Sequence, residues 1–345
     1  MHTRTLRTAL ATATAGLAAA TCLTAAGPAG ASPVVAARNA CSSSVAIDGF
    51  SDALDKTTFQ DTYVGNFSAL ATDGRGSIAA LSDRSALFRL DAKTLEPKSV
   101  VALADESGAA LDSEGLVVDQ DGTYLVSSET EPSVRRYSRT GKILDTLPVP
   151  AALRTTPTGR GQSNGTFEGL TLLPDGKTLV ASMEYALSGD DTNLVRVQTW
   201  QRTKNNHFRL GAQYAYQVDA GLGVPEVTAT PDGRLLVLER GFTSGVGNTV
   251  RLYLADPRRA TDVSGTETLT ATGIRTVKKT LLTDVAACPS LGATAKQPQP
   301  NPLLDNIEGM AVTGRTKGRL DVLLVSDDNQ GTTQTTRFYR LRVRV

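Results

Sequence analysis

The sequence predicts an all-β protein, a β-propeller that most simply has five blades of four antiparallel strands each. Three observations support this fold: a repeated apolar hairpin, a glycine turn inside each repeat, and an amphipathic pair of strands after each hairpin. Such units need their neighbours to bury their faces, so the repeat predicts a single domain. The repeats begin 46, 54, 58 and 82 residues apart, at Ser68, Glu114, Glu168, Glu226 and Glu308.

Each hairpin consists of two short runs of β-branched and apolar residues. Runs such as "LVVD" with "YLVSS", or "LLVLE", are too short for helices and apolar enough for inner strands that are covered on both faces. The stretches that follow, such as "LFRLDAKTLEPKSVVAL" and "VRRYSRTGKILDTLPV", predict the outer strands of a blade. The turns are typical of hairpins and contain Asp73-Gly74, Asp121-Gly122, Asp175-Gly176, Asp232-Gly233 and Gly318.

The order of the units raises two further expectations. We expect the C-terminal "TRFYRLRVRV" to pair with "SVAIDGF" and so close the ring of blades. The interval of 82 residues after Glu226 leaves room for a sixth, degenerate blade, so six blades are the alternative. The expected organisation is a signal peptide at 1–31, an N-terminal segment with the ring-closing strand at 32–60 and the propeller domain at 61–345.

The first 31 residues are typical of a secretory signal peptide. Arg4 and Arg7 form a basic start, an Ala/Leu/Thr-rich run follows, and Ala29 and Ala31 form a small-x-small cleavage site. An uncleaved membrane anchor is the alternative, but a run rich in Ala and Thr makes a poor permanent span. We therefore expect a secreted, extracellular protein with no membrane contact after cleavage.

The composition of the mature chain excludes some partners and predicts a disulfide. Removal of residues 1–31 removes two of the 36 basic residues and none of the 35 acidic ones. The nearly neutral balance gives no electrostatic case for nucleic acid or an anionic membrane. Cys41 and Cys288 are the cysteines that remain, and outside the cell two cysteines usually pair. Two unpaired thiols are the alternative, and we expect the single domain to be a monomer.

Hairpin geometry should bring acids that are distant in sequence to the same end of each blade. The first strand of a hairpin leaves one face of the propeller and the second strand returns to it. Glu168 and Glu184 are sixteen residues apart but should therefore be neighbours in space. The same reasoning pairs Ser68 with Asp83 and Arg84, Glu114 with Glu129, Glu226 with Glu239, and Glu308 with Asp327.

The innermost strands of a propeller line its central channel, so the residues that open the repeats should form a ring. Adjacent carboxylates about 6 Å apart repel by roughly 3 kcal/mol at an effective dielectric constant near 20. A divalent cation would relieve this repulsion. Hard oxygen ligands select Ca²⁺ or Mg²⁺, and a wide ring that admits water suits Ca²⁺ better. The alternative is that the glutamates bond to backbone N–H groups and lock the blades together. The predicted ring is Ser68, Glu114, Glu168, Glu226 and Glu308.

These hairpins resemble a secreted bacterial family described as having esterase-like activity of phytase, the phytase-like propellers. The resemblance lies in "SAL…LSDR" (68–84), "EGLVVDQDG…SSE" (114–129), "NGTFEGLTLLPDGKTLVASME" (164–184), "PEVTATPDGRLLVLERGF" (225–242) and "NIEGMAV…LLVSDDN" (306–329). It implies hydrolysis of phosphate esters or other esters. The ring also resembles the central calcium site of soluble calcium-activated nucleotidases. These motifs are not rich in lysine, unlike the mouth of propeller phytases, which argues against phytate as the substrate.

The residues favour metal and carboxylate chemistry over a nucleophile triad. The one histidine of the mature chain, His207, lies beside two asparagines in a predicted exposed turn, which excludes a Ser-His-Asp triad. A bound cation can polarise a phosphoryl oxygen and help ionise a water. Candidates to orient or deprotonate that water are Glu129, Glu184, Glu239 and Asp327. Candidate substrate contacts are Asp83, Arg84, Arg240, Asp328 and Asn329.

Some of these candidates have alternative interpretations. The two arginines could fork onto an oxyanion or form ion pairs with an acid of the neighbouring blade. Asp327 to Asn329 could also hold a second cation. Two function classes follow. The first is a secreted calcium-dependent hydrolase of small-molecule phosphate esters or related esters. The second is a non-catalytic, calcium-stabilised propeller that binds a sugar, a peptide or a cell-wall component.

Overall fold

The computed structural model describes residues 39–74 and 76–345. The predicted signal peptide and the first part of the N-terminal segment lie outside the described residues. The described chain begins with β1 (Val45–Ser51) and a small hairpin of β2 (Thr57–Phe59) and β3 (Thr62–Val64). It continues as five antiparallel sheets of four strands, so the predicted propeller with five blades is confirmed.

The first three blades follow one another along the chain. Blade 1 contains β4 (Phe67–Thr72), β5 (Ser77–Ser82), β6 (Ala86–Asp91) and β7 (Pro97–Ala102). Blade 2 contains β8 (Ser113–Val118), β9 (Tyr124–Ser128), β10 (Ser133–Tyr137) and β11 (Ile143–Thr146). A 3₁₀ turn at Ala151–Leu153 then leads to blade 3, which contains β12 (Phe167–Leu172), β13 (Thr178–Met183), β14 (Leu194–Arg202) and β15 (Phe208–Gln217).

The last two blades account for the long interval in the repeat. Blade 4 contains β16 (Gly223–Ala229), β17 (Leu235–Thr243), β18 (Gly247–Asp256) and β19 (Lys278–Asp284), followed by a 3₁₀ turn at Val285–Ala287. Blade 5 contains β20 (Ile307–Thr316), β21 (Arg319–Ser326) and β22 (Phe338–Val343), with β1 as its fourth strand. The loop between β18 and β19 packs on blade 3, where the Val263 and Val277 amides bond to β15 carbonyls at 2.9 Å. The interval therefore holds loops rather than a sixth blade.

The ring closes through the two ends of the described chain. β1 pairs antiparallel with β22, from Val45 opposite Val343 to Ser51 opposite Phe338, as the sequence predicts. Cys41 and Cys288 form the predicted disulfide, with 4.0 Å between their Cα atoms and 247 residues between them in sequence. The Ser42 hydroxyl also donates to the Leu282 carbonyl oxygen at 2.6 Å. The segment before β1 is thus tied to blade 4 as well as to blade 5.

The inner strands approach one another closely near the channel, which explains why glycine follows three of the opening glutamates. A Cβ atom on Gly115 would stand 2.4 Å from the Glu168 carbonyl oxygen of the next blade. A Cβ atom on Gly169 would stand 2.6 Å from the Glu226 Cα. A side chain at either position would push two inner strands apart. Among the described residues, no helix is long and apolar enough to cross a membrane.

Candidate functional site

A cavity of about 240 Å³ lies at the end of the propeller where the inner strands begin. It is lined by eight carboxyl groups and one guanidinium group. The carboxyl groups are those of Asp83, Asp112, Glu114, Glu129, Glu168, Glu184, Glu308 and Asp327, and the other lining residues are Ser68, Asn164, Tyr185, Arg240 and Asn329. The predicted convergence of opening and closing acids is therefore seen for four of the five blades.

A β-bulge at the start of each inner strand affects the direction of the side chain with which the repeat begins. In blade 3 the pairing of β12 with β13 shifts between Phe167 and Leu170, so Glu168 and Gly169 stand opposite one residue. Blade 2 has the same shift between Ser113 and Leu116, around Glu114. Such bulges re-aim a side chain. Here they direct two buried glutamates into the cavity.

Glu226 is the member of the predicted ring that does not line the cavity. Its Oε1 atom accepts a hydrogen bond of 2.8 Å from the Val227 amide. Burial raises the pKa of Glu226 well above its usual value, while the backbone amides of Val227, Met310 and Leu170 act in the opposite direction. These amides belong to three different blades. Glu226 thus fits the alternative in which a glutamate locks blades together.

Blade 4 also departs from the pattern at the end of its second strand. In blade 3, Leu179 is the first residue of the second strand that pairs with the inner strand, and Glu184 stands five positions after it. The corresponding first residue in blade 4 is Leu235, and the residue five positions after it is Arg240. Arg240 therefore takes the place of an acid at the cavity. Glu239 faces away from the cavity and is fully buried. Its carboxyl group accepts from the Tyr216 hydroxyl and Lys279 Nζ, both at 2.6 Å.

Arg240 makes contacts across the cavity. Its Nη1 atom donates to Asn306 Oδ1 at 2.8 Å. Its Nη2 atom lies 3.2 Å from Oε1 of both Glu184 and Glu308. Asn306 also donates to Glu308 Oε1 at 2.9 Å. Arg240 Nε is buried and has no hydrogen-bond partner among the described residues.

The acids of blades 2 and 3 form two compact clusters. Carboxylate oxygens of Glu129, Glu168 and Glu184 lie within 4.8 Å of one another, and so do those of Asp112, Glu114 and Glu129. Two ligands of one Ca²⁺ ion lie at most roughly 5 Å apart, since each binds at 2.3–2.6 Å. Both clusters therefore fit a divalent cation. Asp112 was missed by the sequence reasoning because it lies two residues before Glu114, outside the repeated positions.

Burial and mutual repulsion raise the pKa of the cavity acids. Burial and then Glu184 raise the pKa of Glu129 to about 7. Burial and then Asp327 raise the pKa of Asp83 to about 7, and burial raises the pKa of Asp327 to about 6. The pKa values of Glu114 and Glu168 lie well above the usual range because of burial and neighbouring glutamates. Each of these carboxyl groups is therefore more stable when it is protonated or binds a cation than when it is an unpaired carboxylate.

The remaining predicted substrate contacts differ in position: some lie at or near the cavity, and one stabilises the fold. Asn329 lines the cavity, and the side chain of Arg84 is 66% exposed, with its Nε atom 3.5 Å from Asp83. Asp328 does not line the cavity. It accepts hydrogen bonds from the side chains of Lys56 and Tyr63, and from the Asn66 amide at 3.0 Å. Asp328 therefore anchors the β2–β3 hairpin to blade 5.

The fold and the cavity define a five-bladed β-propeller with a buried, acid-lined site that is suited to a divalent cation. The chain belongs to the phytase-like family, described as esterase-like activity of phytase, which it matches over residues 62–330. This membership supports a hydrolase-type function on a small-molecule substrate.

Comparisons with individual proteins are more distant. An uncharacterized secreted protein of Arthroderma benhamiae is 36% identical over 107 residues, which cover 24% of this chain and 21% of that protein. The chain thus spans about a fifth of the length of this relative. A secreted relative and a disulfide are both consistent with an extracellular protein.

Three solved structures share part of the architecture at low identity. A protein provisionally described as a gluconolactonase has a TM-score of 0.42 and 17% identity, over 81% of this chain and 75% of that chain. A gluconolactonase of Xanthomonas campestris has a TM-score of 0.41 and 14% identity, over 82% and 73%. The glutaminyl cyclase of Myxococcus xanthus has a TM-score of 0.40 and 14% identity, over 81% and 91%. Similarity at this level indicates no particular activity.

Proposed function

We propose that the protein is a secreted, calcium-dependent hydrolase that acts on phosphate esters or related esters at the acid-lined cavity. One observation carries this proposal. Three carboxyl groups from two adjacent blades, those of Glu129, Glu168 and Glu184, converge in a buried cavity beside Arg240. The family to which the chain belongs supports hydrolysis, and the chemistry of the site supports the ion and the ester.

The cation would be held by Glu129, Glu168 and Glu184. Ca²⁺ suits three carboxylates on separate strands because it accepts six to eight oxygen ligands in flexible geometry, whereas Mg²⁺ requires a near-ideal octahedron. When bound, a divalent cation there would polarise a phosphoryl or acyl oxygen and lower the pKa of a water.

Arg240 would orient an anionic group of the substrate. Arg240 lines the cavity, its Nε atom has no hydrogen-bond partner among the described residues, and its Nη atoms are held by Asn306, Glu184 and Glu308. A guanidinium group that is fixed in this way favours phosphate oxygens, to which it donates charge-assisted hydrogen bonds. It therefore favours a phosphate ester over a neutral carboxylic ester.

Asp83 is the best placed group to accept a proton from the attacking water. Its Oδ1 atom is buried without a hydrogen-bond partner among the described residues, and burial raises its pKa to about 7. A general base works best when its pKa lies near the working pH. Glu184 is less suited to this role, because its Oε1 atom lies 3.2 Å from Arg240 Nη2 and is occupied by that contact.

A panel of phosphate and carboxylic esters, assayed with calcium and with chelator, tests the proposal. We expect calcium-dependent turnover, and we expect Asp83→Asn to lower it by roughly 10²–10⁴-fold and to remove the acidic limb of the pH–rate profile near pH 7. Asp61→Asn, in an exposed turn, is the matched control. An unchanged rate and pH profile in Asp83→Asn would exclude the role of Asp83 as base.

The second candidate function is a non-catalytic propeller that binds a sugar, a peptide or a cell-wall ligand. Tyr185 favours it, because this residue lines the cavity and is 37% exposed. Phe242, two residues after Arg240, is 55% exposed. Aromatic side chains at a rim offer apolar surface to such ligands. Calcium binding without turnover of any ester would favour this candidate.

A further inference from the structure

The five acids contributed by blades 2 and 3 form two clusters that share one member. One cluster contains Asp112, Glu114 and Glu129, and the other contains Glu129, Glu168 and Glu184. The oxygens within each cluster lie within 4.8 Å of one another, but the two clusters do not merge at that spacing. A single ion with ligands at about 2.4 Å therefore has no position within reach of all five carboxyl groups.

We propose that the cavity is a two-cation centre in which Glu129 bridges one divalent cation on Glu168 and Glu184 and a second on Asp112 and Glu114. The inference rests on the proposed function for the first cation and adds the second site. It differs from the sequence expectation, in which Asp327 to Asn329 were the candidates for a second cation. Asp328 is bound to Lys56 and Tyr63 instead.

Ser68 provides an independent observation at the second site. The residue is 2% exposed and lines the same cavity. Its Oγ atom is buried and makes no hydrogen bond of standard geometry among the described residues. Buried hydroxyl groups nearly always have a partner. A hard cation on Asp112 and Glu114 would take this oxygen as a further ligand.

The charges in this part of the cavity also require more than one dication. The five carboxylates carry five negative charges when they are ionised. Arg240 contributes one positive charge there, which it shares with Glu308 on the opposite side. One divalent cation together with Arg240 offsets three of the five charges, and a second divalent cation offsets the remaining two.

Among the esters proposed as substrates, a pair of cations favours phosphate esters. Centres with two metal ions about 3.5–4 Å apart stabilise both the attacking and the leaving oxygen in phosphoryl transfer. The hydrolysis adds one water across the P–O bond, so a phosphate and an alcohol leave. Glu129 acts here as a positioning residue because it sets the distance between the two ions.

Calorimetric titration of metal-stripped protein with Ca²⁺ alone tests the inference. We expect two bound ions per chain in the unaltered protein and one in Asp112→Asn. Glu131→Gln is the matched control, because its side chain lies in the same blade, is 77% exposed and does not line the cavity. This control should still bind two ions.

Ser68→Ala gives a second test that does not depend on the folding of Asp112→Asn. It should weaken the second binding step by about 10-fold or more, the scale seen when a group that supports a metal site is removed. One ion in the unaltered protein, two ions in Asp112→Asn, or unchanged binding in Ser68→Ala would each overturn the two-cation centre. No bound calcium at all would overturn the proposed function as well.

Discussion

The cavity acids predict an unusual pH dependence of stability in the metal-free protein. Glu129 illustrates it: burial and Glu184 raise the pKa of its carboxyl group from 4.5 to about 7. Below about pH 4 the group is protonated in both the folded and the unfolded chain, so it does not affect stability. Between the two pKa values the folded chain binds more protons, so the free energy of unfolding falls as the pH rises.

The size of this effect follows from the pKa values. A change of one pKa unit corresponds to 1.36 kcal/mol, so Glu129 alone lowers the free energy of unfolding by about 3 kcal/mol between pH 4.5 and 7. Asp83 and Asp327, whose pKa values are raised to about 7 and about 6, act in the same direction. Saturating calcium should remove the part of this loss that comes from Glu129, because a carboxylate that binds the ion stays ionised.

Urea unfolding at pH 5 and pH 7.5, on metal-stripped and on calcium-saturated protein, measures the effect. We expect the metal-stripped protein to be less stable at pH 7.5 by several kcal/mol, and we expect Glu129→Gln to reduce that difference by about 3 kcal/mol. Surface acids with lowered pKa values, such as Asp256 at about 2, titrate below this window and do not interfere. Equal or greater stability of the metal-stripped protein at pH 7.5 would refute the reasoning.

Three further predictions concern the ion, the disulfide and the two kinds of glutamate. Calcium at one hundred times its dissociation constant should add about 2.7 kcal/mol and raise the Tm, and an unchanged Tm in chelator would contradict a bound ion. Replacement of Cys41 and Cys288 by serine should cost about 5–6 kcal/mol on the chain-entropy model, because 247 residues separate them. Alkylation of both thiols in unreduced protein, seen by mass spectrometry, would contradict the pairing. Glu226→Ala should lower the free energy of unfolding by about 2–3 kcal/mol with or without calcium. Glu168→Gln should reduce the gain from calcium and stabilise the metal-free protein at pH 7.5. Equal effects of Glu226→Ala and Glu168→Gln on the gain from calcium would contradict the assignment of Glu226 to the scaffold and Glu168 to the ion.

The architecture was predictable because it depends on patterns that the chain repeats. Turn glycines, short apolar runs and amphipathic strand pairs recur in each unit, and the observed blades follow them. Ring closure between β1 and β22 was predictable because the last unit supplies three strands of its own, so that one edge of β22 is left for β1. The sequence did not decide between five and six blades, because the length of the interval after Glu226 does not distinguish a long loop from a degenerate blade.

The direction of individual side chains was harder to predict, and blade 4 shows the reason. Eight positions separate Glu168 from Gly176, but seven separate Glu226 from Gly233. A shift of one residue turns a strand's side chains to the opposite face. The spacing is even in the other four blades, from Ser68 to Gly74 as well as in the longer repeats, so the odd spacing was the signal that Glu226 would not follow them. It also explains why Arg240 reaches the cavity in place of Glu239.

The asymmetry of blade 4 explains where the candidate cation site lies. A fully repeated ring would distribute its acids evenly around the channel and would favour an ion on the axis. Here Glu226 is bonded to backbone amides, and Glu308 is bonded to Arg240 and Asn306. The acids whose oxygens converge in clusters lie in blades 2 and 3, around Glu129 and Glu168. The cation site should therefore be displaced from the axis towards these two blades, which leaves the side of Arg240 open for the anionic group of a substrate.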